Sequence, residues 1–526
     1  MSRYYQYLFM ILVLMALSVA VLGYILWDGK PVSEEYNSVG RTAKIRPDYY
    51  EAVIPPNIAP LNFLVQETGS NYYIKIYSEN GEPLEIFSRS AKIRIPPKPW
   101  RKLLNKNKGK KLYFDIFVKT QKGQWDKFNT ITNKIANERI DAFLVYRKIR
   151  PLHLRHREHE KIGIYQRNLG DYGESLILDN TYYYKYGCLN CHTFCQNQSD
   201  KMLIAIRNSK HGSCALLVEG DRINKIPTKF GYTSWHPTGR LAIYSMNKVR
   251  QFFHSVQNEV RDVIDLDSAL AYYSVDGRTI KIPSEISKED RLETYPTWSA
   301  DGRYLYYCSA PILWDREREV LTSRYKQVKY DLMRVNYNVE SDTWGQPETV
   351  LSAQDTALSI LEPRISPDGR WLLFCMCDYG CFPVYQESSD LYLIDLEAAS
   401  RTGRYEYRRI EANSGQSESW HSWSSNSRWI AFSSKRRDGV LTRLYFSYVD
   451  KAGKVYKPIL MPQKDPTFYD SLLLTLNTPE FIVEPVKVTG EKLGRVVRSS
   501  RQIQVDMPVT MATPQAGTIS DYTAPQ

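Results

Sequence analysis

Several signatures are missing from this chain, and each absence removes a class of activity. No G-x-S-x-G elbow occurs, which argues against the strand-turn-helix nucleophile of the α/β-hydrolases. No Walker-type phosphate loop and no G-x-G-x-x-G fingerprint occurs, which argues against a nucleotide-dependent enzyme of those classes. Cysteine and histidine are scarce, 8 of each in 526 residues. Only one C-x-x-C pair exists, so a zinc site closing a loop between two such pairs is not available. Lys and Arg outnumber Asp and Glu, 70 to 58, for a net charge of +12. This excess is spread along the chain without a basic arm or a nucleic-acid motif, and it reads as a solvated surface; no nucleic-acid partner is expected.

What is present begins with one uncharged run, Tyr7 to Trp27, which as a helix would span roughly 31 Å, about the thickness of a hydrocarbon core. Tyr4, Tyr5 and Tyr7 at one end and Tyr24 and Trp27 at the other resemble interfacial belts. The expectation is a single-pass signal anchor in the inner, cytoplasmic membrane, with the bulk of the chain in the periplasm. The alternative is a secretory signal cleaved near Ser18-Val19-Ala20, which would release the chain to the periplasm. No cysteine lies near the run, so a lipoprotein anchor is excluded.

The motif that carries most chemical information is Cys188-Leu189-Asn190-Cys191-His192. A C-x-x-C-H run is the attachment signature of c-type haem, with thioethers from Cys188 and Cys191 and His192 as proximal ligand of the iron. Cys195 follows closely. The same residues could therefore form a structural disulfide, or a zinc site of three thiolates and an imidazole. A thioredoxin-like role is disfavoured, since the motif follows the strand-like Tyr182-Tyr183-Tyr184-Lys185-Tyr186 and does not open a helix.

An internal repeat defines the architecture. Ser234-Trp235-His236-Pro237-Thr238-Gly239-Arg240 recurs as Thr297-Trp298-Ser299-Ala300-Asp301-Gly302-Arg303, as Arg364-Ile365-Ser366-Pro367-Asp368-Gly369-Arg370, and as Ser422-Trp423-Ser424-Ser425-Asn426-Ser427-Arg428. In each copy a short strand ends in the large apolar residue, a turn reverses the chain, and an alternating apolar strand follows. Hydrophobic residues make up 43% and aromatics 13%, with 39 Tyr, a composition rich in strand formers. Repetition of this kind predicts an all-β chain with a β-propeller. A fifth, degenerate copy is expected to begin at Cys195 and run through Met202–Ile206 and Cys214–Val218. A sixth blade is expected jointly from 162–171 and the chain after Phe468, including Glu480–Glu484. Five blades are visible and six are expected.

The W-S-P-D-G-R frame resembles the WD40-like (PD40) repeat of TolB-type periplasmic proteins, over about residues 194 to 465. Together with Gly187–Cys195 and with Lys161–Asn168 ahead of it, the chain resembles a group of bacterial envelope proteins grouped under cytochrome c biosynthesis. The resemblance implies a TolB-like propeller and says little of activity, because propellers are general-purpose platforms.

The expected domains are 1–30, a cytoplasmic tip and anchor with its transmembrane part at about 7–27; 31–150, a small β-sandwich-like, immunoglobulin-like domain; 151–193, a linker carrying the C-x-x-C-H motif; 194–490, the propeller; and 491–526, a disordered tail. If haem is bound, Met202, Met246, His211 and His254 are candidates for the sixth ligand, each more readily explained by packing. His153, His156 and His159 read as a solvated basic segment. Disulfides are expected among Cys195, Cys214, Cys308, Cys375, Cys377 and Cys381. Two functions remain open. One is electron transfer, redox sensing or a subunit role in an envelope complex, through haem c and a redox partner. The other is a non-catalytic scaffold, in which a propeller face binds an envelope protein or glycan and the C-x-x-C-H motif is a structural disulfide.

Overall fold

The computed structural model describes residues 10–16, 18, 35–150, 161–185, 187–208, 210–253, 261–314 and 323–508. The chain is mostly β and divides into two compact units. One comprises 1–56, 60–137 and 462–471; the other comprises 57–59, 138–461 and 472–526.

The anchor predicted over 7–27 is corrected. Among the described residues no helix is long and apolar enough to cross a membrane. The described part of this run is helical over 10–16 and at Ser18, and the remainder of the predicted span lies outside the described residues.

The first unit holds a seven-stranded and a three-stranded sheet. Asn71–Tyr77 and Lys111–Lys119, whose alternation marks them in the sequence, pair antiparallel from Asn71 opposite Lys119 to Tyr77 opposite Tyr113. Two features depart from the expected immunoglobulin-like sandwich. Asn37–Thr42 pairs parallel with Trp125–Asn129, and Val53–Ile54 parallel with Ile131–Ile135. A helix, Pro97–Lys106, also interrupts the strands. Its opening Pro-Pro pair reads as loop punctuation, yet a proline at the first helical position loses no hydrogen bond and arrives with helical φ. Trp100, Leu103 and Leu104 then fall on one face at i, i+3 and i+4 and are buried. The Asn107 amide closes the helix by donating to the Leu103 carbonyl at 2.9 Å.

The second unit is a succession of six antiparallel sheets, five with four strands and one with five. The first consists of Phe143–Ile149, Ile162–Asn168, Glu174–Asp179 and, from the far end of the chain, Thr475–Ile482. The second runs from Cys188–Phe194 to Arg222–Ile226, the third from Thr233–Trp235 to Thr279–Lys281, and the fourth from Arg291–Trp298 to Glu348–Leu351. The fifth runs from Ser359–Ile365 to Tyr407–Arg409 and the sixth from Glu418–Trp423 to Ile459–Leu460. The expected contribution of 162–171 and of the chain around Glu480 to one sheet is formed, with Phe143–Ile149 between them. The unit thus begins at Glu138, ahead of the boundary read from the sequence. Gly490–Arg498 is a helix capped by Thr489, where a tail was expected from 491; residues 509–526 lie outside the described residues.

Each sheet packs its face on the next. Ile204 and Leu216 of the second meet Val145 and Ile164 of the first, and Leu203 and Leu217 on its other side meet Tyr244 and Tyr273 of the third. Ile243 and Tyr272 pack on Leu305 and Tyr307, and Tyr306 and Leu332 on Leu372 and Phe374. The fifth and sixth are joined by the Trp423 indole donating to the Arg364 carbonyl at 3.1 Å. The sixth returns to the first through Phe446 and Phe481, ring centroids 5.9 Å apart, and the Thr442 hydroxyl donating to the Leu476 carbonyl at 2.7 Å. This succession is compatible with a β-propeller.

The repeat motif is a hydrogen-bonded turn. In the fourth sheet the Ser299 hydroxyl donates to Asp301 at 2.6 Å, the Arg303 amide donates to the same carboxylate at 3.1 Å, and the Tyr304 amide donates to Ser299 Oγ at 2.9 Å. Ser366 with Asp368, and Ser424 with Asn426, repeat the pattern. The following residue must take positive φ, +74° at Gly302 and +76° at Gly369. A Cβ on Gly302 would lie 2.3 Å from Nε2 of His236, whose ring nitrogen contacts the Gly302 carbonyl at 3.1 Å. Gly302→Ala is therefore expected to cost about 1–3 kcal/mol. Thermal melting should show a larger loss than for Gly380→Ala, which has φ +68° but open space around the added carbon.

Candidate functional site

One strand in each of five of the six sheets of the second unit carries the same irregularity, and the third sheet holds Tyr232 at the equivalent place, just ahead of Thr233–Trp235, without a register shift. Three residues before the large apolar residue of each repeat, counting Phe481, Phe194, Trp235, Trp298, Ile365 and Trp423, stand Thr478, Cys191, Tyr232, Tyr295, Glu362 and Trp420. Register shifts fall between 189 and 192, 294 and 297, 361 and 364, and 419 and 422. The strand Thr475–Ile482 shifts likewise against Val145 and Arg147. Tyr295, Glu362, Trp420 and Thr478 take φ of 50°, 54°, 49° and 49°, a costly choice for bulky residues. Bulges of this kind re-aim side chains.

The C-x-x-C-H motif lies on one of these irregular strands. His192 is 3% exposed and stands opposite Ile204. Its ring faces the carbonyls of Val145 and Thr478 in the adjoining sheet, but neither ring nitrogen meets a partner in hydrogen-bond geometry. Burial, reinforced by the Arg147 guanidinium, pushes the imidazole down to about 3. Cys188 is half-buried and packs against the cluster that contains Tyr184 and Cys214. The side chain of Cys191 lies outside the described residues. A c-type haem needs its proximal histidine beside a slot wide enough for a porphyrin. Here the imidazole is enclosed between two packed sheets. Met202 is 1% exposed in the core of its strand, and Met246 packs between the second and third sheets. The His211 amide caps a turn by donating to Asn208 at 2.7 Å. His254 and the segment with His153, His156 and His159 lie outside the described residues.

No disulfide joins the six cysteines expected to bridge. Cys195, Cys214, Cys308, Cys375, Cys377 and Cys381 are free and buried. Sheet packing separates them: Cys214 lies in the second sheet, Cys308 in the fourth, and Cys375 and Cys377 on one strand of the fifth. Residues two apart on a strand have Cα atoms about 6.7 Å apart, at the limit of disulfide reach. Burial raises the Cys214 thiol to about 11 and pushes Cys308, Cys375 and Cys381 well up, so these sulfurs are poor nucleophiles.

The bulge positions bring together residues that sequence reading missed. Tyr232 of the third sheet stacks on Tyr295 of the fourth with centroids 4.0 Å apart. Trp420 of the sixth sheet stands 5.6 Å from Tyr232 and 6.2 Å from Tyr295. Sheets distant in the chain therefore converge at this point. Phe382 lies 6.4 Å from Tyr232 and stacks on Tyr385, over which sit the Arg261 guanidinium at 5.1 Å and the Lys435 ammonium at 5.7 Å. Tyr295 is buried and donates to the Cys381 carbonyl at 2.6 Å, while Tyr232, Phe382, Tyr385 and Trp420 keep part of their surface in solvent. Half-buried aromatic faces beside fixed cations are suited to ligands with flat apolar surfaces and anionic groups. Counting three residues back from each repeat marks Tyr232, Tyr295 and Trp420 in the sequence, but not Phe382 or Tyr385.

Two of the buried carboxyls of the third and fourth sheets are strongly raised. Asp265 accepts from the Asn247 amide at 3.1 Å and the Tyr330 hydroxyl at 3.2 Å, and burial pushes it up to about 6. Glu293 is 1% exposed with Oε2 unpaired, and burial pushes it up to about 8.

No family model matches the chain, and no curated protein matches it. Among solved structures, a puromycin hydrolase aligns at 14% identity over 60% of this chain and 45% of its own, with a TM-score of 0.36. An oligogalacturonate lyase from Vibrio parahaemolyticus aligns at 12% identity over 74% of this chain and 100% of its own, with a TM-score of 0.33. Hydrazine synthase from Kuenenia stuttgartiensis aligns at 11% identity over 50% of this chain and 64% of its own, with a TM-score of 0.31. The chain thus spans less than half the length of the puromycin hydrolase and less than two thirds of the hydrazine synthase chain. At these scores the likenesses carry no functional inference.

The raised Glu293 has a consequence for stability. Its carboxyl rises from 4.5 to about 8 on folding, so the folded chain holds a proton that the unfolded chain releases. The stability it contributes is complete below about pH 4.5 and is lost as pH climbs through about 8. Melting temperature should fall over that window, and Glu293→Gln should flatten the fall by at least about 2 °C.

Proposed function

We propose that the second unit is a six-bladed β-propeller acting as a non-catalytic binding scaffold, with a protein or glycan partner seated on the face that carries Tyr232, Trp420, Phe382 and Tyr385. Each four-stranded sheet is one blade, the five-stranded sheet is a blade with an added edge strand, and Thr475–Ile482 closes the ring. The observation that carries the reading is the convergence of Tyr232, Tyr295 and Trp420 from three different sheets within 4.0–6.2 Å. Aromatic and Arg side chains held rigid by packing give large contact area at low entropic cost, which is what binding hot spots use. Arg261 and Lys435 favour a partner with anionic groups. On this reading the C-x-x-C-H residues are part of an inner strand, and His192 fills the gap between two blades.

The haem alternative is tested by intact mass and a pyridine haemochrome spectrum on protein from a host with active cytochrome c maturation. The expected result is the apoprotein mass without a Soret band. A mass increment of one haem, abolished by Cys188→Ala with Cys191→Ala, would overturn the scaffold reading of the motif. Binding itself is read by titrating panels of acidic and neutral oligosaccharides and of peptides against intrinsic fluorescence. Trp420→Ala should weaken any hit by about 1–3 kcal/mol, roughly 5- to 150-fold.

A further inference from the structure

Glu362, Cys375 and His421 come from three strands of the fifth and sixth sheets. Among the described residues they form the one group of three metal-type donors whose ligand atoms all lie within 4.8 Å of one another. Their exposures are 5%, 0% and 3%. Cys375 Sγ stands 3.4 Å from Glu362 Oε2 and 3.8 Å from His421 Nδ1. A tetrahedral cation with bonds of about 2.3 Å to sulfur and about 2.0–2.2 Å to nitrogen and oxygen sets sulfur-to-nitrogen and sulfur-to-oxygen separations of about 3.5 Å. The observed spacings bracket that value.

The imidazole is also oriented for ligation. Nε2 contacts the Leu373 carbonyl at 3.0 Å, a partner that can only accept, which favours the proton on Nε2 and leaves Nδ1 facing Cys375 Sγ at 3.8 Å. A ligating histidine is commonly held in this way, by its other nitrogen on a backbone carbonyl. Glu362 Oε2 accepts from the Trp420 amide at 2.6 Å, but Oε1 is buried without a partner. The Glu418 carbonyl, 3.7 Å from Sγ, lies near enough to add an oxygen.

The repeat supplies an internal control. His192 occupies the same place, one residue past the bulge position, and faces the carbonyls of Val145 and Thr478 as His421 faces those of Leu373 and Glu362. In register, Thr478 corresponds to Glu362 and Arg147 to Cys375. The gap beside His192 therefore has a built-in cation, the Arg147 guanidinium. The gap beside His421 has at that register position a thiol in place of an arginine, with the Glu362 carboxyl beside it, and the nearby Arg364 guanidinium is paired with Glu480 at 3.2 Å.

We propose that Glu362, Cys375 and His421 bind one thiophilic divalent cation of the zinc type, which pins the fifth sheet to the sixth. Binding displaces the proton of the Cys375 thiol, and that of the Glu362 carboxyl where it is protonated, to solvent, and the ligands are then a thiolate, a carboxylate and a neutral imidazole. The proposal does not rest on the reading of the aromatic face or of the C-x-x-C-H motif, although the Trp420 backbone amide also holds Glu362.

The test uses the full chain, stripped with chelator under reducing conditions and then supplied with Zn²⁺ or Co²⁺ alone. After desalting, elemental analysis should find one equivalent of zinc per chain, and the cobalt form should show a thiolate-to-metal charge-transfer band. Cys375→Ser should lower retained metal to about a tenth or less and remove the band, while Cys377→Ser and Cys188→Ala should leave both intact. Folded wild type that retains no metal, or metal that survives Cys375→Ser, would overturn the site. So would metal lost with Cys188→Ala and not with Cys375→Ser. Should the Cys375 variant fail to fold, the wild-type cobalt spectrum decides alone, since no charge-transfer band means no thiolate ligand.

Discussion

Burial of both faces of each sheet is the constraint from which the second unit follows. The strand Trp371–Cys377 is buried at every position, which no sheet with one face in water could tolerate. Such a strand must be covered on both sides. The chain achieves this by stacking one antiparallel sheet against the next, until the sixth meets the first through Phe446 and Phe481. Large aromatics fill the wedge between sheets, and some polar side chains there are satisfied across the gap, as Ser427 is by the Asp368 amide, while others such as His192 are buried without a partner. The bulges, the turns and the aromatic convergence are all local answers to this packing.

Much of the sheet unit was legible because its repeat is written in turn chemistry. Ser, Asp and Gly at fixed offsets form a hydrogen-bonded loop whose geometry is local, so the residue pattern and the structure carry the same information. The first unit was less legible. Its helix hides behind a proline pair, and the parallel pairing of Asn37–Thr42 with Trp125–Asn129 joins segments that no local signal connects. The N-terminal run misled by hydropathy alone. The C-x-x-C-H motif is legible as a pattern but not as a place: its spacing does not reveal that it falls on an inner-strand bulge, where the packing of neighbouring sheets surrounds its histidine.

The candidate site was illegible for a physical reason. Tyr232, Tyr295 and Trp420 are far apart in sequence and each looks like an ordinary strand aromatic. Only the closure of six sheets brings them within ring contact. Glu362, Cys375 and His421 are similar: a carboxyl, a thiol and an imidazole of unremarkable spacing, made neighbours by two adjoining sheets. Comparison of His192 with His421 shows that equivalent places in a repeat keep their geometry and change their charge, and that difference is visible only once the repeat is aligned on its bulge.

The pairing of Phe143–Ile149 with Thr475–Ile482 also dictates the order of assembly. Arg147 and Asn477, bonded across it, are 330 positions apart. During synthesis the middle sheets can form from local hairpins while Phe143–Ile149 waits with one edge unpaired. That edge is exposed to strand addition by other chains until Thr475–Ile482 has been synthesised and pairs with it. Folding speed is then set by one late, long-range step, and the nascent chain is most vulnerable to aggregation just before its own C-terminal strand arrives.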